Sequence, residues 1–210
     1  MTDTRTRLLD GALATLRDKG IAGTSARTIA AAAGVNQALV FYHFGTVDEL
    51  LAAACAHGAT ARVAAYADRF ATVTSLAELL QVGVELHEEE RAEGNVVVLA
   101  QILAGAQAEP KLAPAAAAAL NLWIAEIETV LHRVLADSPL GPVLDVPGLA
   151  RSVSAAFIGF ELYDGVDPDG AARAMSALAQ LGALLTLVED LGPTTRRLLR
   201  SRIRKATTGS

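Results

Sequence analysis

Glycine and proline residues divide this sequence into segments in which alanine and leucine recur at helical spacing. Breaks fall at Gly94, at Pro110, over residues 139–148 and 167–170, and at Gly192. These residues interrupt helices, because glycine adopts left-handed backbone geometry and proline lacks a backbone donor. Runs of β-branched and aromatic residues, which favour strands, are scarce. The pattern predicts an all-α protein of nine or ten helices without a fixed internal repeat.

The predicted helices follow the spacing of apolar side chains and the capping residues at segment ends. Ser25 and Asn36 are candidate N-caps of two short helices, and Gly34 is a candidate left-handed turn between them. A long helix should then begin at Val47. The longer helices are predicted over residues 4–19, 47–70, 75–91, 95–106, 111–136, 146–165 and 170–190, with a basic helix from Thr194.

Cysteine content and the first segment bear on the cellular compartment. The single cysteine, Cys55, cannot form an internal disulfide, and Asp10 interrupts the first apolar segment, unlike the core of a signal peptide. The most apolar windows, such as residues 96–106, are shorter than the roughly 18 residues that a membrane-spanning helix needs. We therefore expect a cytoplasmic protein with no membrane partner.

The net charge of −5 conceals an asymmetry along the chain. Residues 1–50 carry five Lys or Arg against five Asp or Glu, residues 51–190 carry seven against 18, and residues 191–210 carry six against none. The balances are 0, −11 and +6, so a polyanion should meet the ends. The basic end fits a solvated tail, a phosphate-binding arm or a membrane-surface helix, and we favour the tail because the acidic middle can neutralise it.

Residues 40–44, Val-Phe-Tyr-His-Phe, concentrate three of the nine aromatic residues in one short predicted helix. Val40 and Phe44, four residues apart, form an inner stripe that should pack on the preceding helix. The other side chains should point outwards in two strips, which comprise Gln37 with Phe41, and Leu39 with Tyr42 and His43. Aromatic surface of this extent indicates a partner, and a short helix after a glycine turn is the geometry of a recognition helix in the major groove of DNA.

The stretch SARTIAAAAGVNQALVFYHFGTVDELL resembles the DNA-binding signature of TetR-type (tetracycline repressor-like) transcriptional regulators. The resemblance covers about residues 8–52. It implies an amino-terminal helix-turn-helix domain over residues 1–50 and a larger helical domain over residues 51–210 for effector binding and dimerisation. It also implies that double-stranded DNA is a partner. The residues expected to bind DNA are Ser25, Arg27, Asn36, Gln37, Leu39, Phe41, Tyr42, His43 and Thr46.

Within this resemblance the expected contacts differ in kind. Arg27 should bind guanine or a phosphate, and Gln37 should bind a base edge. Tyr42 and His43 should contact the backbone, and Thr46 should bind a phosphate at the start of the long helix. Leu39 and Phe41 should touch thymine methyl groups, and Asn36 suits either a base or a phosphate.

The acidic middle of the chain carries no chemical signature of catalysis or of a metal site. His87 precedes three glutamates, but no second histidine stands at metal-binding spacing, so we interpret this stretch as a solvated helix end. No enzymatic activity and no cofactor are expected. The resemblance implies an effector cavity among the helices, for which the candidate lining residues are Gln101, Trp123, Glu126, Phe157 and Glu161; packing in the core is the default interpretation for Trp123.

A single short recognition helix contacts few base pairs, so a two-fold homodimer on two half-sites is expected. The resemblance implies that the two long apolar segments over residues 146–165 and 170–190 form its interface, and both have small residues that permit close approach. Those residues are Ser152, Ala155, Ala156, Gly159, Ala174, Ala177 and Gly182. The expected function is a repressor that a small-molecule effector releases from a pseudo-palindromic operator. The alternatives are a helical small-molecule-binding protein or enzyme with a vestigial helix-turn-helix, and an adaptor that binds proteins through the basic tail.

Overall fold

The computed structural model describes residues 3–136 and 144–189, together with the single positions 138, 141, 192 and 195. Its described part is all-α, as predicted, with nine helices and no strand. Two short 3₁₀ turns occupy Ile21–Gly23 and Pro110–Leu112. The helices are α1 Thr4–Lys19, α2 Ala26–Ala33, α3 Ala38–Phe44, α4 Val47–Thr72, α5 Leu76–Ala92, α6 Asn95–Ala108, α7 Ala113–Leu135, α8 Val146–Asp164 and α9 Pro168–Glu189. The predicted basic helix from Thr194 lies outside the described residues.

The chain forms two compact units. The first contains residues 1–65 and 89–123, and the second contains residues 66–88 and 124–210. The predicted domain boundary at residue 50 stays a prediction.

The core of the first unit is built mainly by α1, α2, α3 and the start of α4. Leu8, Ile29, Val40 and Leu50 are completely buried in it. Helices α1 and α2 approach closely because α1 carries Gly11, where an added β-carbon would lie 2.9 Å from the Ala33 nitrogen. Apolar burial of this kind stabilises roughly in proportion to the area removed from water. The packing therefore fixes the frame on which α3 is displayed.

Helix α6 joins this core through one buried apolar residue and one amide. Val98 belongs to the core cluster, and the backbone N–H of Ile21 donates a hydrogen bond to Gln101 Oε1 at 3.2 Å. Gly105 permits the close approach, since an added β-carbon would overlap the Ile21 side chain. The turn after α1 is thereby held by α6.

In the second unit, one polar contact and one close approach join helices that are distant in the sequence. Arg133 of α7 donates to the carbonyl oxygens of Phe70 at 2.5 Å and Val73 at 3.1 Å, which close the end of α4. Gly182 of α9 faces α5, where an added β-carbon would lie 2.9 Å from Leu80 Cδ1. The missing side chain of Gly182 therefore accommodates a helix of the same chain, and the predicted contact of Gly182 between protomers stays a prediction.

Helix α7 is long and apolar enough to cross a membrane by length and composition, and so is the bent pair of α3 and α4 if it is counted as one span. Glu126 and Glu128 lie within α7. Core helices of soluble proteins pass the same test, so this property is weak evidence for a membrane.

Candidate nucleic-acid interface

The start of α2 is fixed by a capping box. Ser25 Oγ accepts the backbone N–H of Thr28 at 3.2 Å, and Thr28 Oγ1 accepts the backbone N–H of Ser25 at 2.8 Å. Two donors that a helix start would otherwise leave unpaired are thus satisfied reciprocally. The predicted N-cap role of Ser25 is confirmed, and the side chain of Arg27 in the first turn is exposed.

The turn between α2 and α3 is made by Gly34, as predicted, with φ of 62° and ψ of 39°. The backbone N–H of Val35 returns to the Ala30 carbonyl at 3.0 Å. Arg7 of α1 donates to the carbonyl oxygens of Ala33 and Gly34, each at 2.8 Å. The guanidinium satisfies carbonyl groups that a helix end leaves free, and it joins α1 to the turn. These contacts of Arg7 could not be predicted from the local sequence, because its partners lie 26 and 27 residues away.

Helix α3 begins at a second side-chain cap. Asn36 Oδ1 accepts the backbone N–H of Ala38 at 2.8 Å, which confirms the predicted capping role. The inner stripe is also confirmed, since Val40 is completely buried and Phe44 is 9% exposed. Both side chains join the cluster formed by Ile29 and Ala30 of α2. The inner stripe therefore fixes how α3 is rotated about its own axis.

The outer side of α3 presents polar and aromatic groups to solvent. Gln37 is exposed, Phe41 is 49% exposed and Tyr42 is 81% exposed. The Tyr42 ring meets His43 edge-on, with ring centroids 5.0 Å apart, and His43 itself is half-buried. The exposed Tyr42 ring keeps apolar surface in water, and burial of that surface against a partner would be favourable. The predicted outward positions of Gln37, Phe41 and Tyr42 are confirmed.

Leu39 does not lie fully on the outer side. It is half-buried and packs against the core cluster of the first unit, so the expectation that it points outwards was wrong in part. Leu39 directly precedes the buried Val40, and its side chain lies at the edge of the inner stripe, where it contacts the core cluster. Part of its side chain remains accessible.

Thr46 stands before α4 in a second reciprocal cap. Its hydroxyl accepts the backbone N–H of Glu49 at 3.1 Å, and Glu49 Oε2 accepts the backbone N–H of Thr46 at 3.0 Å. The carboxylate therefore occupies the position where an anion would meet the Thr46 N–H. A phosphate at Thr46 would have to displace Glu49, and the predicted phosphate contact there stays a prediction.

The five residues predicted to bind an effector are divided between the two units. Gln101 is engaged with Ile21, and Trp123 in the same unit is half-buried. In the second unit Glu126 is half-buried. Phe157 and Glu161 both contact His87: the rings of His87 and Phe157 are 6.5 Å apart, and Glu161 Oε1 is 2.8 Å from His87 Nδ1.

His87 is buried, so the interpretation of this stretch as a solvated helix end was wrong for His87. His87 and Glu161 are 8% and 3% exposed, respectively. The local sequence could not show this, because the partner lies 74 residues away. The glutamates after His87 split by helical period: Glu88 and Glu89 are exposed, whereas Glu90 is buried and paired with Arg62 of the first unit.

The described part of the protein contains an enclosed cavity and an open groove. An apolar cavity of about 20 Å³ lies within the first unit, with room for about one water. An open groove of about 320 Å³ lies in the second unit beside Val73 and Gln81. None of the five predicted effector-binding residues lines either one. The residues around the small cavity are Leu16, Ile21, Leu51, Ala52, Cys55, Ile102, Leu112 and Ala115.

Titratable side chains of the described residues form no group of three or more that could hold a metal ion. Cys55 is buried beside the small cavity, and burial raises the pKa of its thiol to about 11. A thiol with such a pKa is protonated at neutral pH and a poor nucleophile.

The fold and the display of α3 define a helix-turn-helix protein of the DNA-binding class. Residues 8–54 match the family described as bacterial regulatory proteins, tetR family. A search of curated proteins finds no match. The family match covers most of α1, all of α2 and α3, and the start of α4, which is the segment whose sequence resembles the DNA-binding signature of TetR-type regulators.

Solved structures with the same fold include the following three proteins. A protein of Rhodococcus sp. assigned to the TetR family shares 23% identity, with 88% of this chain and 99% of that chain covered and a TM-score of 0.74. A protein of Streptomyces coelicolor A3(2) assigned as a transcriptional regulator shares 23% identity over 86% and 99% of the two chains, with a TM-score of 0.67. The multidrug binding protein EbrR, complexed with imidazole, shares 29% identity over 85% and 96%, with a TM-score of 0.59.

Proposed function

We propose that this protein regulates transcription by inserting α3 into the major groove of DNA and that a small molecule controls its binding. The observation that carries this proposal is the division of α3 into two faces, with Val40 and Phe44 buried and Gln37, Phe41 and Tyr42 exposed. A helix held rigidly by its inner face and presented after a glycine turn has the form of a recognition helix.

The exposed groups divide the work of recognition. Gln37, at the start of α3, reads a base edge, and Phe41 and the accessible part of Leu39 contact thymine methyl groups. Tyr42 and His43 bind phosphate, and Arg27 binds guanine or phosphate from the first turn of α2. Ser25, Asn36 and Thr46 are exposed capping residues, and their hydroxyl and amide groups also reach the sugar-phosphate backbone of the DNA. Residues 1–50 form the DNA-binding domain in this proposal.

The proposed functional unit is a homodimer built on α8 and α9. Leu162 and Tyr163 of α8 and Leu184 of α9 are exposed by 47%, 45% and 58%, and the small residues Ala155 and Gly159 are also exposed. A large exposed apolar surface of this kind marks an interface. A two-fold dimer binds two half-sites and supplies the discrimination that one short helix lacks, so the operator is pseudo-palindromic.

The proposed effector is a small molecule bound by the domain over residues 51–210, and its binding releases the repressor from DNA. The crystallised complex of EbrR with imidazole supports a small-molecule effector for a protein of this fold. Such a ligand acts only through its different affinities for the DNA-binding and released conformations. The proposal involves no cofactor and no enzymatic step, and it places the protein in the cytoplasm.

Selection from random-sequence duplexes with the purified full chain tests the DNA-binding function. The expected result is an enriched site with two-fold symmetry. Affinity for this site should fall with salt with a slope of about −0.9 per phosphate contacted. Failure to enrich any sequence, together with no retention of duplex at low salt, would exclude the function.

Arg27→Ala tests the role given to α2. Loss of a guanidinium contact to guanine should weaken binding to the selected site by about 1–3 kcal/mol and relax the preference at one base position. The dimer should be unaffected, since the side chain is exposed and far from α8 in sequence. Unchanged affinity and unchanged preference would remove Arg27 from the interface.

A further inference from the structure

The first unit contains six cationic side chains up to residue 65, and the structure separates them by their partners. Arg7 binds the carbonyl groups at the end of α2, Arg17 binds Asn95, and Arg62 binds Glu90 and Glu93. These three guanidinium groups are committed to structural contacts. Within the described residues, the remaining three have no hydrogen bond or ion pair to the protein; they are Arg5, Lys19 and Arg27.

Arg5 is distinguished from the other two by its position against α3. Its guanidinium carbon lies 5.1 Å from the centre of the Phe44 ring, and Phe44 is the last residue of α3. Phe44 is held in the core, so the ring is a fixed platform. A guanidinium over an aromatic face is attracted by the ring and restricted in its motion. Arg5 itself remains exposed, with its N–H donors available to a partner.

Electrostatics gives this position a consequence for DNA binding. Helix α3 contains no lysine or arginine, and residues 1–50 have no net charge. Duplex DNA carries about one negative charge per 1.7 Å of its axis, and neutralisation of phosphates supplies much of the affinity. The cations that offset this charge must therefore come from beside α3. Two exposed arginines lie on the helices that pack beside α3: Arg27 is in the first turn of α2, and Arg5 is in the first turn of α1, against Phe44.

We propose that Arg5 is a phosphate-binding residue of the DNA interface, at the end of α3 that carries Phe44. This inference rests on the proposed DNA-binding function. The cation–π contact holds the guanidinium before DNA arrives, so less conformational entropy is lost on binding. Lys19 has the same formal charge on the same helix, but it lies 14 residues further on, about 21 Å along the helix axis. Lys19 therefore serves as a matched control.

The experiment measures the affinity of the full chain for the selected duplex and for a random duplex at salt concentrations from about 0.05 to about 0.3 M, where counterion release dominates the salt dependence. The variants are Arg5→Met, which keeps an apolar stem over Phe44, Arg5→Lys, which keeps the charge, and Lys19→Met. For Arg5→Met the slope of log affinity against log salt should become shallower by about 0.9, which corresponds to about eightfold weaker binding at 0.1 M salt. Both duplexes should be affected equally, because a phosphate contact carries no sequence information.

The salt slope separates a contact from a structural role. A variant that is partly unfolded has every affinity scaled by one factor, which leaves the slope unchanged. Arg5→Lys should retain the wild-type slope, and Lys19→Met should retain both slope and affinity. An unchanged slope in Arg5→Met, or equal losses in Arg5→Met and Lys19→Met, would overturn the assignment of Arg5 while leaving the DNA-binding function intact. A wild-type chain that binds neither duplex would overturn both proposals.

Discussion

The close contact between α1 and α2 at Gly11 allows the sign of one substitution to be predicted. Gly11 lies in the interior of α1, where glycine costs about 1 kcal/mol relative to alanine in an open helix. An added β-carbon would lie 2.9 Å from both the nitrogen and the β-carbon of Ala33, and 3.1 Å from the carbonyl oxygen of Ile29. Two of these three atoms belong to the backbone and cannot rotate away. Overpacking of this kind costs about 1–3 kcal/mol, and rigid neighbours favour the upper value.

Gly11→Ala should therefore lower the free energy of unfolding by about 2 kcal/mol, which is the overpacking cost of about 3 less the helical gain of about 1. Gly58 and Gly83 are matched controls within α4 and α5. At Gly58 the nearest atom is a side-chain tip, Leu13 Cδ1 at 3.2 Å, and at Gly83 nothing lies within 4 Å. Gly58→Ala should change stability little, and Gly83→Ala should raise it by about 0.5–1 kcal/mol.

Thermal unfolding followed by circular dichroism measures this series. For a chain of this length, 1 kcal/mol shifts Tm by roughly 2–4 °C, so Gly11→Ala should melt roughly 4–8 °C lower and Gly83→Ala roughly 1–4 °C higher. The order of the three variants matters more than the size of each shift. A Gly11→Ala protein that is as stable as Gly83→Ala would refute the close approach of α1 and α2.

Two further predictions concern buried ionisable groups. Arg62→Met should lower the free energy of unfolding by about 3 kcal/mol, because Glu90 is 7% exposed and loses the guanidinium that it pairs with. Arg69→Met breaks the more exposed pair with Glu85 and should lower it by less than about 1 kcal/mol. Equal losses for the two variants in urea unfolding would contradict this difference. Burial raises the pKa of the Cys55 thiol from 9.0 to about 11, so the folded state holds a proton that the unfolded state has released between these pH values. Stability should therefore be constant with respect to this group below pH 9 and fall by roughly 3 kcal/mol as pH rises to 11. Cys55→Ala should remove that part of the alkaline loss, and an unchanged pH profile would show that the thiol is not desolvated.

Local chemistry predicted the helix boundaries well where a residue ends a helix by its own backbone or side chain. The first helix ends before Gly20 as expected, and Ser25, Gly34 and Asn36 act as cap, turn and cap. Boundaries without such residues were displaced slightly: α4 continues from the predicted Phe70 to Thr72, and α6 from the predicted Ala106 to Ala108. These ends depend on packing, which local sequence does not encode.

The buried and exposed faces of α3 could also be predicted, because the 3.6-residue period places Val40 and Phe44 together. Contacts between distant residues could not. Arg7 meets the end of α2, Gln101 meets Ile21, and His87 meets Glu161, and each pair is separated by 26 residues or more. Candidate effector-binding residues chosen by residue type were thus partly committed to structural contacts, whereas the recognition helix, defined by adjacent residues, was found from the sequence.

The affinity of Tyr42→Ala for duplex DNA tests most directly whether the outer face of α3 is the DNA-binding surface. Tyr42 is 81% exposed, so its removal should leave the helical content and melting temperature unchanged. Val97→Ala, which truncates another exposed side chain on α6, is the control. Loss of a phosphate contact should weaken binding to selected and random duplexes alike by about tenfold, with no change in Val97→Ala. Wild-type affinity in Tyr42→Ala for both duplexes would contradict the placement of this face against DNA.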